Sequence, residues 1–410
     1  MAHILISGAG VAGPALALLL VRAGHQVSLI ERASGLRLGG QAVDLRGAGR
    51  TVVEAMGLMP AVRALALRQR GMSWVDARGR ARARMGVDAF AGEGFISEIE
   101  ILRGDLAQIM YDATRQAVQY EFGNSVVELR QDDQGVDVAF ESGPRRRFDL
   151  VVGADGLAST TRRLEFGEGG MRSLGCLIAW FTAPDPGDLD GWYEMYLARG
   201  GRNASLRPGR LPGEAKAALG LRIAPGTAFP SGRDEQRSLL RSRFAGLGWR
   251  VPELLSAAES ADDFAFAEIG QVHLPSWSRG RVVLLGDAAA SPSPLTGLGT
   301  SVALVQAYVL AGELAAAGGD HRRAFARYEQ VCRPYVDRAQ EMPPGGAAGF
   351  APMSEAMIRL QTLSMRLATR WPMRPMLQKQ FGKAADVVLP DYDLVATARR
   401  SVPPAGPVGR

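Results

Sequence analysis

The chain is 410 residues long and 47% hydrophobic, with two cysteines and a formal net charge of +6. That length supplies core for two domains, and the two cysteines, Cys176 and Cys332, lie too far apart in sequence to suggest a disulfide framework or a metal site. The basic excess is nearly all arginine and is spread along the chain, which argues against a nucleic-acid partner; the histidines at 3, 25, 273 and 321 lack ligand spacing, and no HExxH, P-loop or GxSxG motif occurs.

The first element in chain order is a short apolar strand, Ile4 to Ser7, running into Gly8-Ala9-Gly10-Val11-Ala12-Gly13. Gly8, Gly10 and Gly13 make a tight turn that lets backbone approach a pyrophosphate at the positive end of a helix expected over 11–23. Gly24-His25 stops that helix, and a second strand, 27–30, ends in Glu31. A carboxylate there accepts hydrogen bonds from ribose hydroxyls, at about the 20-residue spacing such sites use. Strand, glycines, helix, strand and acid in that order read as an adenine-dinucleotide site. The uncharged run from Ile4 to Val21 also has the composition of a signal peptide or membrane span. With only His3 before it, and glycines and a proline at motif positions, the run is better explained by the turn. A soluble, cytoplasmic protein with no membrane partner is expected.

Helical stretches follow around 49–56 and 60–67, then short strands between 71 and 85, where Arg78, Arg80, Arg82 and Arg84 alternate like the wet face of a strand. A helix over 104–116 precedes strands at 126–130 and 136–140. The strand at 148–152 delivers a third glycine-bearing turn, Gly153-Ala154-Asp155-Gly156. From 171 to 273 the pattern changes to strand-like runs at 174–181, 192–197, 217–223 and 264–274, joined by Pro/Gly-rich loops, with one helix near 233–245. This reads as a β-rich domain inserted into the first. Val282 to Leu285 then runs into Gly286-Asp287, followed by Pro292, Pro294, Gly297 and Gly299. A carboxylate ending a buried strand is costly without a partner, and with a second glycine-rich loop it suits the ribityl chain and ring of a flavin. Helices over 300–317 and 322–340, a breaker at 343–346 and an amphipathic helix over 354–381 close the fold, and the last residues, 396–410, are expected to be disordered.

These motifs carry a resemblance over nearly the whole chain. GAGVAG with Glu31-Arg32, ILRGDL (101–106), VVGADG (151–156) and GDAAASPSPLTGLGT (286–300) resemble the FAD-dependent class A aromatic hydroxylases, typified by para-hydroxybenzoate hydroxylase. GGQAVDLRG (39–47) and the overall length look most like the tetracycline-inactivating flavin monooxygenases. The resemblance implies an α/β fold: a Rossmann-like FAD-binding domain of the glutathione-reductase type (1–70, 97–170 and 275–345), an inserted β-rich substrate domain (71–96 and 171–274) and a C-terminal bridging helix (350–385).

By the same resemblance, Glu31 holds the adenosine ribose with Arg32 beside it, Arg103 contacts FAD, and Asp155 lies near the pyrophosphate and a nicotinamide path. Asp287 takes a ribityl hydroxyl, Gly297 and Gly299 pass under the ring, and Asp44 also contacts flavin. Arg37 is implied for NADPH, and Trp180 and Arg202 for substrate. Two departures, Ala290 where the family often has His and Gln306 where it often has an acid, bear on the mouth of the pocket. The implied function is hydroxylation of an aromatic or polycyclic, antibiotic-like substrate with NAD(P)H and O2 through a flavin C4a-hydroperoxide. The flavin does that chemistry, so no catalytic base is assigned. Alternatives on the same fold are a Baeyer–Villiger, epoxidising or oxidase variant, or a non-catalytic flavoprotein sequestering an intermediate. A halogenase is disfavoured by the late positions of Lys216, Lys379 and Lys383 and the lack of a WxWxIP-like segment. A monomer or homodimer is expected.

Overall fold

The structure is a computed structural model and describes residues 1–37, 39–92, 97–224, 226–343, 345–368, 374–375 and 387–392. Its organising element is His3–Ser7, whose Ile4, Leu5 and Ile6 are fully buried. An unbroken apolar strand of this kind must be covered on both faces, so it takes the centre of a parallel sheet. It pairs with Leu150–Gly153 on one side and Gln26–Glu31 on the other. Six strands result, in the order Ser278–Arg279, Val282–Leu284, Leu150–Gly153, His3–Ser7, Gln26–Glu31 and Gln119–Phe122; only the first pairing is antiparallel. Connections leave the central strand in both directions, which opens a crevice at the carboxyl ends of the strands.

The uncharged Ile4–Val21 run divides into strand, turn and the helix Ala12–Arg22, as the glycines require. Gly299–Ala316 packs against that helix and is the one described helix long and apolar enough to cross a membrane; 78% of it is buried within the fold.

A second, seven-stranded sheet runs Ala265–Val272, Met171–Pro184, Glu214–Arg222, Arg202–Pro208, Trp192–Ala198, Gly71–Val75 and Ala81–Gly86. One face carries Leu177, Ala179, Phe181 and Leu219 and packs on the helices Arg233–Phe244 and Val251–Ser260 through Leu240, Phe244 and Leu254. The other face looks toward the crevice. Four of these elements are not expected from the sequence: the strands Gln119–Phe122, Arg202–Pro208 and Ser278–Arg279 and the helix Val251–Ser260. The helix has Pro in its first turn and buries Val251, Leu254, Ala257 and Ala258, so tertiary contact rather than a strong local signal holds it.

The last described helix, Glu355–Leu367, packs on the edge strand Ala81–Gly86. Further on, Tyr392 donates to Glu313 Oε1 at 2.7 Å on the Gly299–Ala316 helix, whose Tyr308 donates to the Pro390 carbonyl at 3.1 Å. Most of the remaining span of the expected 354–381 helix, and all of 396–410, lie outside the described residues.

Candidate active site

A cleft of about 1140 Å³ runs from the carboxyl ends of the six-stranded sheet to the open face of the seven-stranded one. Gly8, Gly10, Glu31, Arg32, Arg37, Asp44, Arg103, Asp155, Trp180, Asp287, Gly297 and Gly299 all line it, which joins twelve of the residues singled out by sequence in one cavity. Gly13 and Arg202 do not line it.

The three opening glycines have different physical reasons. Gly8 has φ +115°, and a Cβ on it would fall 2.5 Å from the Ala154 carbonyl oxygen, so the first and third glycine turns are in direct contact. A Cβ on Gly13 would fall 2.0 Å from the Gly8 carbonyl oxygen, making Gly13 the close-packing position of helix on strand. Gly10 differs from both: a Cβ there meets nothing within 4 Å, and the residue lines the open cleft.

Glu31 accepts the Ala9 amide at 2.9 Å and the Ala33 amide at 3.0 Å, one on each oxygen. Both bonds fix the carboxylate at the turn while leaving each oxygen a further lone pair. Arg37 approaches Glu31 at 4.0 Å and is largely exposed. Arg103 donates to the carbonyls of Arg37 and Gly39, both at 3.2 Å. Its guanidinium sits against Gly40, where a Cβ would fall 3.1 Å from Nε. Burial and the nearby Arg37 weaken its hold on its proton. Glu31 opposes that shift, and a half-buried guanidinium that lines the cleft suits an anion.

Asp155 is tied up locally. It accepts from Ser159 Oγ, from the Thr161 amide at 2.9 Å and from Thr161 Oγ1 at 3.0 Å, so it steadies the start of the helix Thr160–Phe166, which Ser159 caps.

Asp287 opens the short helix Asp287–Ala290 at the floor of the cleft. Its side chain is exposed to the cleft, and the protein walls around the cleft push its carboxyl up, opposed by a Ser291 hydrogen bond and by Arg162. Arg162, which no sequence motif marks, bridges the carbonyls of Ala288 and Leu157 and holds the third glycine turn against this floor. Gly297 has φ +69°, and a Cβ there would lie 3.6 Å from Asp44 Oδ2; Gly299 lies close to Asp287. The two family departures are not at the mouth. Ala290 is buried, and Gln306 Oε1 accepts the Gly286 amide at 2.8 Å beneath the floor, which holds that glycine at φ +62°.

The far wall is the open face of the seven-stranded sheet. Side chains alternate across a strand, and in Arg202–Pro208 this parity decides the chemistry. Asn203, Ser205 and Arg207 line the cleft, whereas Ala204 and Leu206 pack under the helices. Arg202 shares the helix-side parity. Its guanidinium donates to the carbonyls of Arg199 and, at 2.7 Å, of Arg243, so the expectation that it meets substrate is corrected. The cation that this strand turns to the cleft is Arg207, ion-paired with Glu100 and 4.5 Å from the Tyr193 ring centre. Trp180 does line the cleft, with Ile178, Tyr193 and Met195. Tyr193 donates to Ser205 Oγ at 3.1 Å.

With this geometry in place, known proteins can be compared. A family profile described as "FAD binding domain" matches residues 1–342. The chain belongs to this family. It is an FAD-dependent monooxygenase, 38% identical over 340 residues to a "Flavin-dependent monooxygenase" from an unknown prokaryotic organism, with 82% of this chain and 87% of the relative covered. It is 36% identical to the "FAD-dependent monooxygenase asL6" of Sarocladium schorii, covering 85% and 88%. The crystal structure of tetracycline destructase Tet(51) superposes with a TM-score of 0.81 at 32% identity, covering 95% of this chain and 99% of that one. The residues present fit FAD: an open Gly10 turn for the pyrophosphate, a positioned Glu31, an Arg103 guanidinium lining the cleft and a carboxylate on the floor at Asp287.

Proposed function

We propose that this flavin monooxygenase hydroxylates an aromatic or polycyclic, polyketide-like substrate, with NADPH as reductant and O2 as oxygen donor. The observation that supports the reading is the continuity of the cleft, in which the Gly8–Glu31 arm, the Asp287–Gly299 floor and the Trp180–Tyr193 wall share one cavity. In this reading segments 1–70, 97–170 and 275–345 hold the cofactor, and 71–96 with 171–274 present the substrate wall.

When bound, FAD supplies reduction by nicotinamide and activation of O2. The chain supplies position and environment. Glu31 and Arg32 take the adenosine, Gly10 and Arg103 the pyrophosphate region, and Asp287 accepts a ribityl hydroxyl. Gly299 begins an 18-residue helix, whose positive end stabilises negative charge on the ring. Asp44 meets the ring edge beside Gly297. Arg37, exposed at the adenosine end, is the candidate for the nicotinamide cofactor's phosphate. Trp180, Tyr193 and Met195 present flat, polarisable surface to an aromatic substrate and exclude water.

The test is direct. The purified protein carries a flavin spectrum, NADPH bleaches it, and a panel of polycyclic phenols accelerates NADPH oxidation with one 18O atom from O2 in the product. A flavin that NADPH does not bleach under any ligand, or a product lacking 18O, overturns the reading.

A further inference from the structure

Four charged side chains form a row at the junction of the flavin loop and the substrate wall. Asp44 and Glu100 are opposed across the antiparallel pair Ala42–Asp44 and Glu100–Leu102, and their carboxyl groups are in hydrogen-bond contact. At one end Arg46 donates to Asp44 Oδ2 at 3.0 Å, and the Ser97 amide donates to Oδ1 at 3.1 Å. At the other end Arg207 donates to Glu100 Oε2 and lies over Tyr193. Arg46, Glu100 and Arg207 are buried. The titratable and charged groups against Glu100 are therefore Asp44 from the flavin loop and Arg207 from the sheet, with Arg46 behind Asp44 and Tyr193 behind Arg207.

A buried carboxyl set against a second acid resists ionisation, so Glu100 binds a proton more tightly than a lone acid would. With both ionised the row is neutral; with one proton it carries +1. We infer that the Asp44–Glu100 pair takes up one proton when an anionic aromatic ligand, a phenolate, enolate or carboxylate, binds against Arg207. This rests on reading the cleft as an aromatic-substrate site.

Burial, with Asp44 adding to it and Arg207 opposing, pushes the Glu100 carboxyl up to about 7. Arg207 remains a cation, because Glu100 outweighs the burial that disfavours its charge. Protonating Glu100 strips Arg207 of its internal counter-ion and leaves its charge for the ligand. The proton comes from solvent, and no covalent bond changes. The sign follows from linkage. Below about pH 7 the pair already holds its proton, and affinity is flat; above it, each anion bound must draw a proton from solution, so affinity falls up to about tenfold per pH unit.

The FAD-loaded protein is titrated between about pH 5.5 and 8.5 with 1-hydroxy-2-naphthoate, whose carboxyl is acidified by the ortho hydroxyl and stays ionised throughout. The uncharged match is 1-naphthol, and binding is followed by flavin absorbance. Naphthoate affinity falls above pH 7 while naphthol affinity stays level, and calorimetry in buffers of different ionisation enthalpy reads uptake of up to one proton per naphthoate. Glu100→Gln, which keeps a hydrogen bond to Asp44 and cannot ionise, removes the slope. Naphthoate binding with a flat profile and no proton uptake overturns the inference and leaves the aromatic-site reading intact. An unchanged slope in a flavin-loaded Glu100→Gln overturns it equally. If neither probe binds, the aromatic-site reading fails and the inference falls with it.

Discussion

The Arg202 guanidinium donates to the Arg243 carbonyl at 2.7 Å, on the face of the seven-stranded sheet turned away from the cleft. Arg243 lies in the last turn of the helix Arg233–Phe244, where carbonyls lack intrahelical partners. The bond therefore ties helix to sheet. Arg202→Ala is expected to lower stability by about 1.5–3 kcal/mol, the worth of a charge-assisted hydrogen bond. Ligand affinity and the coupling of NADPH oxidation to product stay within about twofold of the parent, a factor worth only about 0.4 kcal/mol. Denaturant unfolding and ligand titration of the same preparation check both halves; a loss of affinity with unchanged stability would return Arg202 to the site.

Gly8 and Gly10 predict opposite phenotypes two residues apart. Gly8→Ala places a Cβ 2.5 Å from the Ala154 carbonyl oxygen at a backbone φ of +115°. Strain and overpacking together cost about 3–5 kcal/mol, so this variant is expected to express poorly and unfold early. Gly10→Ala meets no protein atom within 4 Å. It should fold normally and hold FAD about 10- to 100-fold more weakly, or about 1.4–2.8 kcal/mol, because the methyl occupies space for the cofactor. Thermal unfolding of the flavin-free proteins, followed by FAD titration, separates the two effects.

The nucleotide half of the fold is legible because its signals are local. Glycines, an apolar strand and an acid fall within about 30 residues, the length of one βαβ unit. The substrate wall is not local. Asn203, Ser205 and Arg207 alternate with Ala204 and Leu206 as an ordinary surface strand would, so the polar set reads as solvent-facing when it faces a cleft. Arg202 and Arg207 are both arginines near one strand, and only the parity of the sheet tells them apart. Glu100 meets Arg207 across 107 residues of chain, a pairing that no spacing rule encodes. Asp155 lies between these cases: its turn is visible in the sequence, but its bond to the Thr161 amide depends on local geometry.

Asp287 predicts a trade between stability and binding. Its carboxyl is raised in the folded protein by enclosure. For an acid this means that ionisation is penalised on folding, so stability falls as pH rises past the unfolded value of about 3.9. Asp287→Asn removes that penalty while keeping the shape. The flavin-free variant is expected to match the parent near pH 4 and exceed it near pH 8. Its FAD affinity should drop about 10- to 100-fold, the effect of losing a charged hydrogen bond of about 1.5–3 kcal/mol. Unfolding midpoints at the two pH values and FAD titration read these separately. A flavin-free variant less stable at pH 8 would show that the carboxylate is better compensated than its surroundings suggest.

Arg207 and Glu100 form a buried ion pair, and such pairs are far costlier to break than to replace. Arg207→Met leaves Glu100 buried beside Asp44 without its cation. The expected loss is about 3–5 kcal/mol at neutral pH, shrinking as pH falls and Glu100 takes a proton. The double variant Arg207→Met with Glu100→Gln removes both charges, and it should recover most of that stability. It should not recover affinity for an anionic ligand that binds against Arg207, because that cation is gone. Unfolding of both variants and the parent at two pH values completes the cycle. If the double variant is no more stable than Arg207→Met alone, the side-chain volume of Arg207 and its contact with Tyr193, rather than the charge pairing, hold the wall in place.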